Sequence, residues 1–171
     1  RLPVIVMQTR NDSAQVKYFV ERGYVWIGQD RRGTGASFGQ QTGFVNQRDA
    51  RDAKAVIDWA AVQPFSSGRI VGIGCSNQGA WQYVVAALAP KNLVAIAPGC
   101  SSPQFFDDAA MINGVPMFEM KEKGFAGECN RPVQPGDRRS GGTPLSASAV
   151  DEDQDGALLA AAQAGQNCNA P

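Results

Sequence analysis

Histidine is absent from the 171-residue sequence, and so are a net charge and any long hydrophobic run. Without histidine, these residues lack the side chain that most often serves as a general base in enzymes. Lysine plus arginine and aspartate plus glutamate both total 16, so we expect neither nucleic acid nor a membrane as a partner. No segment approaches the run of about 18 apolar residues that a membrane-spanning helix requires. A small neutral or mixed substrate fits this composition better.

Cysteine is scarce, with four residues in the chain: Cys75, Cys100, Cys129 and Cys168. Cys129 and Cys168 each precede an asparagine in polar, turn-rich sequence, which leaves both a loop-stapling disulfide and two free thiols open. Cys75 ends an apolar run, and we expect it to be a buried free thiol. Cys100 is a geometrically possible partner for Cys75, because it follows the neighbouring predicted strand.

Short apolar runs alternate with longer amphipathic ones over the first hundred residues. The short runs are β-branched and apolar throughout, which predicts strands buried on both faces, at 3–7, 24–29, 69–74 and 93–98. The amphipathic runs predict helices at about 12–22, 47–63 and 77–89. This alternation predicts an α/β fold, with a parallel sheet, right-handed crossovers and helices on both faces.

Charged segments elsewhere in the chain have structural interpretations. "RDARD", residues 48–52, predicts a solvated helix face. "DEDQDG", residues 151–156, imitates the opening of a calcium loop, but Ala162 stands where such loops have a bidentate glutamate. We therefore interpret it as the acidic start of a helix at about 156–165.

Two further segments follow the last predicted strand. Residues 105–120 predict a helix or lid segment, and residues 131–146 a long exposed loop.

The stretch "GIGCSNQGAW" predicts a strand that turns sharply into a helix, with Ser76 at the turn. Such a turn lifts a serine hydroxyl above the carboxyl edge of the sheet and points backbone N–H groups of the helix at any oxyanion formed there. Gly74 and Gly79 provide space, since a side chain at either position would collide where strand and helix cross. The alternative is that Ser76 merely caps the helix.

Two long motifs carry a family resemblance. "QDRRGTGASFG" is similar to a D-x-R-G-x-G-x-S-x-G loop, and "RDAKAVIDWAAVQPFSSGRIVGIGCSNQG" is similar to a helix, turn, strand and serine turn of the pattern G-x-S-x-x-G. On these motifs the sequence resembles the cocaine-esterase and X-prolyl dipeptidyl-peptidase (S15-type) group of serine α/β-hydrolases. The resemblance implies an incomplete α/β-hydrolase core at residues 1–104 and part of a cap or lid segment at 105–171.

The resemblance also implies roles for individual residues. Ser76 would be the nucleophile, and the backbone N–H of Asn77 would stabilise the oxyanion. Asn11 stands where the family has a tyrosine that donates to the oxyanion, so it is a second, shorter candidate donor. The residues Asp30, Arg32, Gly33 and Gly35 would form a structural loop, held by a charge-assisted hydrogen bond between Asp30 and Arg32.

The resemblance implies a serine hydrolase that acts on esters or on amides after proline. We expect a secreted or periplasmic protein, with a cytoplasmic location as the alternative. It needs no metal and no cofactor. In this fold the acid and the histidine follow the nucleophile along the chain, so we expect both beyond this chain or on a second chain. The isolated 171 residues are then expected to be inactive. Two alternatives are a lysine base and a non-catalytic fragment or binding module of the same fold.

Overall fold

A computed structural model of the chain describes residues 1–8, 14–40, 47–104, 111–116 and 152–164. These residues fall into two units. The first comprises residues 1–29 and 44–116, and the second comprises residues 30–43 and 117–171. The predicted boundary at residue 104 stays a prediction.

The first unit is built on a four-stranded parallel sheet. Its strands are β1 (Leu2–Met7), β2 (Val25–Gly28), β3 (Ser66–Cys75) and β4 (Leu93–Gly99), in the spatial order β2-β1-β3-β4. All four strands match predicted runs, and β3 extends beyond the predicted 69–74 at both ends. Since the strands are parallel, the segments that follow β1, β2, β3 and β4 all leave from one edge of the sheet. Polar residues at that edge are therefore candidates for a site.

Three helices connect the strands: α1 (Ala14–Val20), α2 (Gln47–Ala61) and α3 (Asn77–Ala87). α2 and α3 pack on one face of the sheet, where Ile57 and Trp81 join a buried cluster against which Val25 and Ile27 of β2 pack. Trp26 lies between those two residues and points to the opposite face, because side chains alternate along a strand. There it stacks on Phe19 of α1 at 6.0 Å between ring centroids. The prediction of helices on both faces is therefore confirmed.

Two predictions about burial are wrong. β2 and β4 are not buried on both faces, because β2 contains no buried residue, and in β4 Val94 is 50% exposed and Ala95 and Ala97 are also exposed. The reason is that β2 and β4 are the two edge strands of this sheet, and the helix α1 contacts β2, at the edge opposite β4. The solvated face predicted for 48–52 fails at Asp49, which is 1% exposed because it lies in the first turn of α2 on the same face as the buried residues Ala53 and Ile57.

The helix predicted for residues 105–120 is also wrong where the structure describes it. Residues 111–116 form a β-hairpin of two antiparallel strands, β5 (Met111–Ile112) and β6 (Val115–Pro116). Its turn residues Asn113 and Gly114 have φ values of 51° and 80°. Asn-Gly is the pair that two-residue hairpin turns prefer, because both positions require positive φ. Residues 105–110 and 117–120, the loop at 131–146, and both Cys129 and Cys168 lie outside the described residues.

In the second unit, helix α4 (Ala157–Ala164) follows the acidic segment, which ends at Asp155 and Gly156. The two carboxylate oxygens of Asp153 accept hydrogen bonds from the backbone N–H groups of Leu158 and Leu159, each at 2.9 Å. This carboxylate satisfies donors that a helix leaves unpaired at its start. Among the described residues, no helix combines the length and the apolar character needed to cross a membrane.

Candidate active site

Ser76 occupies a strained turn between β3 and α3 in the first unit. Its φ is 60° and its ψ is −126°, a region that is populated mainly by glycine. Holding a serine there costs about 1–3 kcal/mol, and such strain is concentrated at functional sites. The residue is exposed, so its hydroxyl is accessible at the carboxyl edge of the sheet.

Hydrogen bonds of the Ser76 backbone hold the turn, and the side chain takes no part in capping. Its N–H donates to the carbonyl of Gly99 at 2.9 Å. Its own carbonyl accepts from the N–H groups of Gly79 at 3.0 Å and Ala80 at 2.9 Å. Ser76 is the N-cap residue of α3, but its hydroxyl makes no capping hydrogen bond, so the side chain does not serve as a helix cap.

Two glycines allow β3, α3 and β4 to approach one another at the turn. A Cβ at Gly74 would lie 2.6 Å from Cβ of Gln78, in the first turn of α3. A Cβ at Gly79 would overlap Oγ of Ser101 and lie 2.6 Å from the carbonyl oxygen of Gly99. Cβ atoms in proteins essentially never come so close to another atom, so neither position has room for a side chain. This confirms the prediction that glycine is needed at both positions.

Gln82, which the sequence analysis missed, braces the same turn through hydrogen bonds of its buried side chain. Its side chain is 1% exposed and donates to the carbonyls of Gln78 at 3.1 Å and Gly74 at 3.4 Å. Its Oε1 accepts from the N–H of Ala97 at 3.1 Å, so a single side chain links β3, α3 and β4. The available signal was a lone glutamine on the apolar face of "AWQYVVAALA", one helical turn after Gln78.

Of the two predicted oxyanion donors, Asn77 lies within the described residues and Asn11 does not. Asn77 is the first residue of α3, so its backbone N–H has no acceptor within the helix and points out of the helix start beside Ser76. Asn11 lies outside the described residues, and its role stays a prediction.

Cys75 and Cys100 lie beside the serine turn and contact each other. Both are free thiols, but both are exposed, so the expectation of a buried Cys75 is wrong. A hydrogen bond to the Cys100 thiol raises the pKa of the Cys75 thiol above its ordinary value. Cys75 is exposed because it precedes the turn at the carboxyl edge of the sheet, where no helix among the described residues covers it.

The predicted structural loop belongs to the second unit. The Asp30 carboxylate accepts a hydrogen bond from the N–H of Ala36 at 3.1 Å, and the Asp30 carbonyl accepts from the Ser37 hydroxyl at 2.9 Å. Gly33 and Gly35 have positive φ values of 70° and 56°, and a Cβ at Gly35 would overlap the Asp30 carboxylate. Pairing between Asp30 and Arg32 stays a prediction.

Replacing Asp30 with alanine is expected to open this loop. The carboxylate accepts a backbone N–H six residues along the chain, so its loss removes an anchor across the turn. Trypsin cleavage after Arg31 and Arg32 should become about tenfold faster, as local opening exposes the backbone. Asp58→Ala is the control, because Asp58 pairs with Lys54 on the exposed surface of α2. Equal cleavage rates in the two variants would contradict this role for Asp30.

Among the comparisons with known proteins, the match to a protein family extends over nearly the whole chain. The family model described as X-Pro dipeptidyl-peptidase (S15 family) matches residues 2–167. A Mycobacterium bovis protein named as a candidate serine esterase is 30% identical over 104 residues, which are 61% of this chain and 17% of that protein. The cocaine esterase of a Rhodococcus species is 33% identical over 88 residues, which are 52% of this chain and 15% of that protein.

A solved structure shows the same fold. The crystal structure of a CocE/NonD family hydrolase from Staphylococcus aureus is similar with a TM-score of 0.63 and 24% identity, and the match covers 72% of this chain and 27% of that one. The parallel sheet flanked by helices is therefore of the α/β-hydrolase type, as predicted. Since the family model matches all but the first residue and the last four, the chain belongs to the X-Pro dipeptidyl-peptidase (S15) family.

Proposed function

We propose that this chain supplies the nucleophile of a serine hydrolase that acts on esters or on amides after proline, and that Ser76 is that nucleophile. One observation carries the proposal: Ser76 is held at a strained φ of 60° with its hydroxyl exposed and not used to cap α3. A serine kept in so unfavourable a conformation, without a capping role, is positioned for chemistry.

In the proposed reaction, the Ser76 oxygen attacks the substrate carbonyl carbon while a base removes the hydroxyl proton. The negative charge that develops on the carbonyl oxygen is stabilised by the Asn77 N–H and by the positive end of the α3 dipole. Collapse of this intermediate expels the alcohol or amine, which takes the proton from the base, and leaves an acyl group on Ser76. Water then releases the acid by the same steps.

The base and its acid come, in this proposal, from polypeptide outside these 171 residues, because the sequence holds no histidine. A lysine base is disfavoured at two positions: Lys17 pairs with Glu21 at 3.8 Å, and Lys54 pairs with Asp58 at 2.5 Å, both on exposed helix surfaces. The chain spans 17% of the Mycobacterium bovis relative and 15% of the cocaine esterase, so those proteins contain ample further sequence.

A base supplied from solution tests this proposal directly. The 171-residue chain is treated with a fluorophosphonate with and without imidazole, and the adduct is measured by intact mass. Because Ser76 is exposed, imidazole can reach it. We expect labelling to accelerate about tenfold or more, since a positioned base contributes roughly 10²–10⁴-fold and a diffusing one recovers part of that.

The controls are two serine variants. Ser76→Ala should abolish the adduct, whereas Ser102→Ala, a replacement on the segment after β4, should leave it unchanged. Labelling that persists in Ser76→Ala would contradict the nucleophile assignment. A folded chain that imidazole does not activate would favour the alternative, a non-catalytic module of the same fold.

The two substrate classes can be separated with chromogenic substrates in the presence of imidazole. The neutral net charge of the chain, the family description and the cocaine esterase relative are compatible with a small ester or a short X-Pro peptide. Release of p-nitrophenol from p-nitrophenyl acetate in imidazole, faster than with imidazole alone or with the Ser76→Ala chain, would support ester cleavage. Release of p-nitroaniline from Gly-Pro-p-nitroanilide would support cleavage after proline.

A further inference from the structure

The thiols of Cys75 and Cys100 lie beside the serine turn, at the ends of two adjacent strands. Cys75 ends β3, and its partner in the parallel register is Gly99, the last residue of β4. Cys100 follows directly and has a φ of 51°, so the chain leaves the extended conformation at that residue. In a regular strand Cys100 would point to the face opposite Gly99. The left-handed conformation changes this direction and brings Cys100 beside Cys75, whose pKa it raises.

We propose that Cys75 and Cys100 form a reversible disulfide that ties the serine turn to the end of β4. The backbone already joins these segments, because the Ser76 N–H donates to the Gly99 carbonyl at 2.9 Å. The disulfide adds a covalent link on either side of that hydrogen bond, between the residue before Ser76 and the residue after Gly99. This inference concerns the thiols alone, so it holds whether or not Ser76 is a nucleophile.

The chemistry is thiol–disulfide exchange with a low-molecular-weight disulfide such as oxidised glutathione. One cysteine thiolate attacks a glutathione sulfur, which breaks the S–S bond, forms a mixed disulfide and releases one glutathione thiolate. The second cysteine then attacks the protein sulfur of the mixed disulfide and releases the other glutathione thiolate. The two cysteines lose two protons and two electrons, and the electrons reduce oxidised glutathione to two glutathione thiols.

Exposure and proximity make this pair different from a structural disulfide of a protein core. Both thiols are exposed, so oxidant and reductant can reach them. Exposed disulfides have the higher reduction potentials that are typical of labile, reversible links. Cys75 pairs with Gly99 in the parallel register, and Cys100 is the next residue, so a mixed disulfide with glutathione should be resolved rapidly into the internal link.

Peptide mapping of the full chain tests the pairing. Trypsin cleavage after Arg69, Lys91 and Lys121 places Cys75 on peptide 70–91 and Cys100 on peptide 92–121. Cys129 and Cys168 fall on other tryptic peptides. After incubation with oxidised glutathione and alkylation of the remaining thiols, we expect a link between peptides 70–91 and 92–121 that dithiothreitol removes. Glutathione adducts on Cys75 and Cys100 without that link, or links from either residue to Cys129 or Cys168, would overturn the proposal.

A variant and a stability measurement separate proximity from mere reactivity. Cys100→Ser should retain one glutathione on Cys75, because the neighbouring thiol that would displace it has been removed. In the unmodified chain, oxidation should raise the Tm by about 5 °C or more, since the link constrains the unfolded chain between the two cysteines. The double variant Cys75→Ser with Cys100→Ser should show no such rise. A Tm that oxidation leaves unchanged in the unmodified chain would contradict a link that holds the turn.

Discussion

Replacing Gly79 with alanine is expected to destabilise the first unit by about 3 kcal/mol or more, because the added methyl group has no space. It would overlap Oγ of Ser101 and lie 2.6 Å from the carbonyl oxygen of Gly99. The sign of the effect is informative, since alanine in a helix interior otherwise stabilises by about 1 kcal/mol relative to glycine. The close approach of α3 to the end of β4 therefore outweighs helix propensity at this position.

Urea denaturation followed by tryptophan fluorescence measures this difference, because Trp81 is buried in α3 two residues after Gly79. Gly99→Ala is the matched control: a Cβ there would lie 3.6 Å from its nearest neighbours, an ordinary contact, and should change stability by less than about 1 kcal/mol. If Gly79→Ala unfolded at the same urea concentration as the unmodified chain, the packing of α3 against β4 described above would be wrong.

The second large effect is expected for Gln82→Leu. Leucine has a similar volume but leaves the N–H of Ala97 and the carbonyl of Gly74 without their side-chain partner. Each buried polar group that loses its partner costs about 1–3 kcal/mol, so for these two groups we expect a total loss of about 2–6 kcal/mol. The carbonyl of Gly74 lies two residues before Ser76, so imidazole-dependent labelling of Ser76 should also decrease.

Gln63→Leu is the control for the loss of a glutamine. Its side chain donates to the carbonyl of Trp59 at 2.9 Å, four residues earlier as with Gln82 and Gln78, but on the exposed surface. We expect that change to alter stability by less than about 0.5 kcal/mol, as measured in the same urea titration. Equal effects at positions 63 and 82 would mean that Gln82 is an ordinary helix residue and does not brace the turn.

The strands and helices of the sheet follow from local patterns, which the sequence displays directly. Apolar runs at the positions of all four parallel strands, and amphipathic runs between them, were sufficient to predict the order of elements and the parallel sheet. The spacing of glycine, serine and glycine around Ser76 was sufficient to place the turn, because only small residues fit where a strand meets a helix so closely. One local signal was present and missed: Asn113-Gly114 specifies the hairpin turn.

What the sequence could not determine depends on contacts between residues far apart in the chain. Asp49 is buried and Val94 exposed because of which neighbours cover them, and neither residue type favours that environment. The Gln82 brace requires Ala97, and the contact of Cys75 with Cys100 requires both a parallel register and a left-handed residue after β4. Patterns of hydrophobicity report periodicity along one element. By itself, then, the sequence determined the elements, their order and the position of the serine turn, whereas the tertiary structure decided what surrounds that turn.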